Sequence, residues 1–140
     1  MIPDLTSVSA DTPIKDAVKI MSQQRMVGLP VVDNEQNVIG IITESDITKA
    51  SLPGYYKELQ NPSFIPDFNQ FSQQAKKIAH LPVRDFMTTT VYSVEEDTSR
   101  TEAANLLFRK HLRIVPVVRT GKLVGILTPS CLCKHAMEED

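Results

Sequence analysis

The 140 residues are 41% hydrophobic and 23% charged, with a net charge of −2 and a pI of about 5.9. This is the balance of a globular domain able to bury a sizeable core. It lacks the basic surplus that general binding to nucleic acid or an anionic membrane requires. No apolar run approaches the roughly 20 residues that span a bilayer. The opening MIPDLTSVSADT has neither the basic nor the apolar region of a secretory signal. Cys131 and Cys133 lie too close together for a useful disulfide, which fits a reducing cytoplasmic setting.

In chain order, a short strand is expected at residues 5–8. Asp11 and Thr12 offer helix-capping side chains, and Pro13 suits a first helical turn. Ile14, Ala17, Val18 and Met21 then recur at helical spacing. Two apolar strands follow at 29–32 and 38–43, joined by the polar turn DNEQN, and a helix starts near Ser45. Residues 51–80 are punctuated by Pro53-Gly54, Asn61-Pro62 and Pro66. Asp67 could cap a helix running through Gln73 to Ala79. The aromatics Tyr55, Tyr56, Phe64, Phe68 and Phe71 suggest that this stretch packs on something, either as a lid on the chain's own surface or as a docking arm. The plan then repeats. A strand is expected at 91–94 and a cap at Asp97-Thr98. A helix with the apolar band Ala103, Ala104, Leu106, Leu107 and Phe108 follows. Strands at 114–118 and 123–128 are joined by RTGK, and a helix starts near Ser130.

The repetition is one of sequence as well as plan. Pro30 aligns with Pro116, an offset of 86 (116 − 30). At that offset Ser7, Val8, Asp11, Thr12, Ala17, Val31 and Val32 meet Ser93, Val94, Asp97, Thr98, Ala103, Val117 and Val118. One deletion in the second turn makes the offset 85, and Gly40, Ile41, Thr43, Ser45 and Lys49 meet Gly125, Ile126, Thr128, Ser130 and Lys134. The chain thus divides into a repeat at 1–50, an insertion at 51–80 and a repeat at 81–137.

Two segments carry a family resemblance. Gly40-Ile41-Ile42-Thr43-Glu44-Ser45-Asp46 matches the G-h-x-[ST]-x-x-[DN] segment that CBS domains use for nucleotide sugars, and Pro82-Val83-Arg84-Asp85-Phe86-Met87-Thr88 resembles the V-x-D-x-M-T entry of a CBS repeat. The chain resembles a tandem CBS pair, a Bateman module. That implies an α/β fold of two pseudo-symmetric β-α-β-β-α repeats packed through their sheets, forming a homodimer with helices at the interface. It implies a regulatory ligand sensor and not an enzyme, with no cofactor. The ligand would be an adenine nucleotide (AMP, ADP or ATP), with S-adenosylmethionine second, and a partner domain would read the change. The alternative is a structural dimerisation module with empty clefts. Met1 aligns with Met87, so the first copy has no counterpart of residues 82–86 within this sequence. Either the entry segment is dispensable or the sequence is a piece of a longer one.

The residues suit a nucleotide. A ribose needs an acceptor for two hydroxyls, which a carboxylate at Asp46 supplies. Thr43, Ser45, the backbone at Ile41 and the free N–H groups of a helix start can face phosphate. Gly40 keeps the strand lean for close approach of a ligand. The family resemblance assigns the opposing wall to Tyr92, Leu112 and Arg113, with His111 and Arg84 as weaker candidates. Tyr92 suits adenine and Arg113 suits phosphate. The second copy has Cys131 where the carboxylate belongs, facing Thr6, Met26 and Val27. It is expected to form a degenerate cleft without nearby positive charge. Cys131, Cys133 and His135 could share a helix face, but no second ligand pair is evident, so no metal is expected and a small buried hydrophobe is the reading for cysteine. No nucleophile or phosphate-loop motif occurs.

Overall fold

Two three-stranded sheets, each covered by its own helices, form the body of the molecule. The computed structural model describes residues 7–52 and 68–138. The first repeat runs β1 (Val8–Ser9), α1 (Ile14–Gln24), β2 (Gly28–Val32), β3 (Val38–Thr43) and α2 (Glu44–Ser51). The helix α3 (Phe68–Ile78) and a 3₁₀ turn (Val83–Asp85) lead to the second repeat. That repeat runs β4 (Val94–Glu95), α4 (Arg100–Lys110), β5 (Val115–Arg119), β6 (Lys122–Leu127) and α5 (Pro129–Glu138). The sheet orders are β1-β2-β3 and β4-β5-β6, each with one parallel and one antiparallel pair. The expected α/β architecture of paired repeats is present.

The first strand of the second copy is shorter and later than its sequence suggested, and a proline explains why; residues 5 and 6 of the first copy's expected strand lie outside the described residues. Parallel pairing begins at Val8↔Val31 and at Val94↔Val117, each one residue past Pro30 or Pro116. Proline has no N–H for a ladder, so pairing cannot extend across it. On the other edge Pro30 faces Ile41, whose N–H and C=O both point away from β2 to Thr88. The missing proton therefore removes no β2–β3 bond.

The helices bury narrower stripes than expected. Ile14, Ala17 and Met21 enter the first core and Ala103 and Leu107 the second. Val18 stays 42% exposed and Phe108 78% exposed, and Ala104 is exposed. The aromatics Tyr55, Tyr56 and Phe64 and the cap Asp67 lie outside the described residues. The described part of the insertion, α3, packs on α2, and Ile78 joins the first core.

The segment leading into the second repeat completes the first. Val83 is fully buried in the first core, with Phe86 and Met87 packed beside it. Its backbone is stitched in place: Val83 N–H donates to Thr12 O at 2.8 Å and Arg84 N–H to Ala10 O at 3.0 Å. In return Ile14 N–H donates to Leu81 O and Lys15 N–H to Ala79 O, both at 2.9 Å. These carbonyls do the work of a helix cap. Hence the expected caps differ from those observed. The N-cap of α1 is Pro13, with no side-chain bond, while Thr12 Oγ1 accepts from Ser9 N–H. The N-cap of α4 is Ser99, which accepts from Glu102 N–H. Pro13 and Ser99 are counterparts at the 86-residue offset. The copy whose helix start receives neighbouring carbonyls has proline, and the other has a capping hydroxyl. On the second repeat the equivalent groove is a 340 Å³ cavity over Val94, Ala103, Val117, Leu127 and Leu132, which no described residue fills.

The hairpins also meet. Leu123 N–H donates to Gln36 O at 2.9 Å and Lys122 Nζ to Glu35 O at 2.9 Å. The second turn places Thr120 (φ 54) and Gly121 (φ 82) in the left-handed region, the geometry of a tight two-residue hairpin. The first is organised by Asp33, which accepts from the Glu35 and Asn37 N–H groups. The bond from Asn37 N–H is the main cause holding this carboxyl below the usual aspartate range.

Three outcomes follow. Ser99→Ala should cost about 1 kcal/mol in denaturant unfolding, because its hydroxyl takes the Glu102 N–H at the start of α4. Val83→Ala should cost about 2 kcal/mol. The folded pKa of Asp33 is depressed, so its stabilisation is complete above the unfolded carboxylate pKa and fades as pH falls through the folded value. An Asp33→Asn chain should therefore lose less stability than wild type on acidification from pH about 5 to about 3.

Candidate functional site

Two clefts of about 500 Å³ each lie where the repeats meet, and they are counterparts under the internal repeat. The first is built from both copies. The β3–α2 junction supplies Ile41, Thr43, Glu44 and Ser45. The second copy supplies Thr88, Thr90, Val91 and Tyr92 from the lead-in to β4, and His111, Leu112, Arg113 and Ile114 from the α4–β5 connection. The expected residues Ile41, Thr43, Ser45, Tyr92, Leu112 and Arg113 are thus brought to one cavity. Thr88, Thr90, Val91 and Glu44 were missed as its lining, although Thr88 and Glu44 stood within the recognised motifs.

A backbone pair fixes the two walls. Thr88 N–H donates to Ile41 O at 2.8 Å and Ile41 N–H to Thr88 O at 2.9 Å. Gly40 serves this contact. A Cβ at Gly40 would lie 2.8 Å from Met87 Sδ and 3.1 Å from Thr88 O. The lean strand accommodates the lead-in segment, which corrects the expectation that it makes room for a ligand.

Asp46, expected at the site, is not among the residues that line the cavity, and it is partly committed. Its Oδ2 accepts from Thr43 N–H and Thr43 Oγ1, both at 3.0 Å, while Asp46 N–H donates to Thr43 Oγ1 at 3.2 Å. This is a capping box for α2. Oδ1 has a long 3.4 Å contact from Thr88 Oγ1. One carboxylate oxygen, not two, remains for a ligand. Tyr92 is 40% exposed and carries Lys110 Nζ 5.2 Å from its ring centroid, so a cation occupies one face and the other can take a base. Arg84 is drawn away: it pairs with Asp11 on the first repeat and is absent from the cavity lining.

His111 has φ 54 and ends α4, and its counterpart Arg25 has φ 56 and ends α1. Left-handed backbone at a non-glycine is costly and here recurs beside both cavities, where it turns the chain from helix into cleft wall.

The second cleft corrects an expectation. It is lined by Arg25, Met26, Val27, Arg113, Thr128 and Ser130, among others. Two guanidiniums border a cavity expected to have none. Arg113 reaches both cavities because the pseudo-twofold relation brings the two helix-to-strand connections together at the centre. Thr128 still caps α5, accepting from Cys131 N–H at 3.2 Å, but cysteine returns no carboxylate bond. Thr6 lies outside the described residues. Cys131 packs against the second core, whereas Cys133 is exposed. Among the described residues no cluster of three metal-type ligands forms.

The CBS-domain sequence profile matches residues 1–53 and 83–138. This chain belongs to the CBS-domain family. It is 28% identical over 144 residues to the chloroplastic CBS domain-containing protein CBSX2 of Arabidopsis thaliana, across 96% of this chain and 60% of that protein. It is 30% identical over 129 residues to inosine-5'-monophosphate dehydrogenase of Methanocaldococcus jannaschii, across 91% of this chain and 21% of the enzyme. The chain thus spans less than two thirds of the length of these relatives. Its structure is similar to that of CBSX2 in complex with AMP, with a TM-score of 0.74 at 28% identity, covering 99% of this chain and 92% of that one. The CBS pair is therefore the fold of this chain, and the two clefts lie between its repeats. No helix among the described residues is long and apolar enough to cross a membrane.

Thr43→Val should cost about 1 kcal/mol of stability without ligand, through loss of the α2 cap, in thermal or denaturant unfolding. An unchanged stability would contradict the capping box.

Proposed function

We propose that the chain is a regulatory module that binds an adenine nucleotide in the cleft bounded by Thr43, Ser45 and Tyr92. The observation that carries this reading is the meeting of two chemistries across one cavity. Hydroxyls at a helix start come from one repeat, and an aromatic, an aliphatic and a cation come from the other. Adenine would rest against Tyr92 and Leu112. The ribose would donate to Asp46 Oδ1. The phosphate would meet Arg113 and the Thr43–Ser45 turn. The related CBSX2, crystallised with AMP, supports the ligand class.

The charge pattern favours a single phosphate. Arg113 is paired with Glu44 at 3.1 Å; Glu44 lines the cavity and Asp46 lies in the same first turn of α2. Further phosphates would add negative charge facing these carboxylates. AMP is therefore the first ligand, ahead of ADP and ATP, with S-adenosylmethionine the next adenosine compound to test. Residues 1–50 and 81–137 act as the two halves of one module, and the insertion 51–80 bridges them. A ligand touching both halves biases their relative angle only so far as its affinity differs between arrangements. That bias is what a partner domain would read.

The module is proposed to dimerise through its helices, with Val18 on α1 and Phe108 on α4 as exposed apolar contacts. Sedimentation should show a dimer that Phe108→Glu weakens. A second reading, a structural dimerisation module with empty clefts, draws on the use of Asp46 Oδ2 in the cap.

Calorimetry separates the two. The nucleotide reading expects AMP to bind with micromolar affinity, about tenfold weaker in Tyr92→Ala. No heat from AMP, ADP, ATP or S-adenosylmethionine, with a folded dimer, would leave the structural module.

A further inference from the structure

The two clefts share their central wall. Val27, Arg113 and Ile114 line both cavities. Arg113 and Val27 are themselves counterparts at the 86-residue offset (113 − 27). In an even pair, each cleft would have a basic residue of its own at this position. Here one copy carries a guanidinium and the other an isopropyl group, so one cation stands at the junction of two sites. The carboxylate that holds it is equally one-sided. Glu44 Oε1 accepts from Arg113 Nη1 at 3.1 Å, and the counterpart of Glu44 is Pro129. The side chains of this ion pair are 69% and 56% exposed, so it is weak and exchangeable.

We propose that Arg113 is a shared phosphate ligand which either cleft can recruit and both cannot hold at once, so that phosphorylated nucleotides occupy the two clefts in alternation. This rests on the nucleotide reading above and deepens it into a regulation of stoichiometry. A phosphate entering the first cleft must take the guanidinium from Glu44. A phosphate entering the second meets Arg25 and the Thr128 and Ser130 hydroxyls and draws Arg113 to its own side. Bidentate binding to phosphate outcompetes an exposed carboxylate pair. Whichever cleft fills first leaves its neighbour with one positive charge fewer. Competition for this cation, and not the absence of a carboxylate at Cys131, sets the occupancy of the second cleft.

The test is calorimetry of the full chain with AMP and with adenosine, which lacks the phosphate. Wild type should bind one AMP per chain. Val27→Arg gives each cleft its own guanidinium and should bind two, whereas a missing carboxylate as the sole limit predicts that only Cys131→Asp would do so. Arg113→Met should weaken AMP by about tenfold or more while leaving adenosine within about threefold. Glu44→Gln should strengthen AMP by removing the competitor. The proposal is overturned by two equal, independent AMP sites in wild type. It is equally overturned by a folded Val27→Arg chain that still binds one, or by an Arg113→Met loss that is the same for adenosine. If Val27→Arg does not fold, Cys131→Asp decides: one AMP per chain upholds the competition for Arg113, and two overturns it. Absence of binding by any adenosine compound to wild type would remove the nucleotide reading itself, and this proposal with it.

Discussion

The lead-in segment of the second repeat is the constraint on which everything else depends. A backbone pair between Thr88 and Ile41 extends the first sheet, and Val83 closes the first core. The same few residues lend carbonyls to α1, demand a glycine at position 40 and carry the chain on to Tyr92. Remove this segment and the first repeat loses part of its core, its first helix loses its cap, and the cleft loses one wall. A single stretch therefore couples the stability of one repeat to the shape of the site between both. A cleft formed in this way is sensitive to the angle between repeats, which is what a regulatory module needs.

The two copies share a plan and differ in detail, and the differences are physically matched. Ser99 caps its helix with a hydroxyl, while Pro13 begins one that receives the carbonyls of Ala79 and Leu81. The second core is the smaller and has an open groove where the first holds Val83. The clefts diverge likewise. One combines the Glu44 carboxylate, an aromatic and an arginine that lines both; the other combines two arginines with hydroxyls and no carboxylate among its described lining. Equal sites would need Glu44, Asp46 and Arg113 mirrored, and their counterparts are Pro129, Cys131 and Val27.

Much of this was legible in the sequence, because duplication prints the plan twice. The strand–turn–strand units and the 86-residue offset followed from aligning the chain with itself, and the gathering of Thr43, Ser45, Tyr92, Leu112 and Arg113 around one cleft followed from the family resemblance. What was not legible arises between copies. A proline at position 13 reads as a helix start, and nothing local reveals that the distant carbonyls of Ala79 and Leu81 would satisfy that helix. Gly40 reads as room for a ligand until Met87 is seen against it. Arg113 reads as belonging to one wall, since spacing along a chain cannot show that it stands at the centre of a pseudo-symmetric pair. Arg84 was drawn off by Asp11, a partner far away in sequence.

The most direct test of the central claim is a crystal structure of the full chain with saturating AMP. The account predicts the adenine against Tyr92 and Leu112, the ribose within hydrogen-bond reach of Asp46 Oδ1, and Arg113 released from Glu44 to the phosphate. AMP bound outside both inter-repeat clefts, or both clefts empty at saturation with the Arg113–Glu44 pair intact, would contradict it.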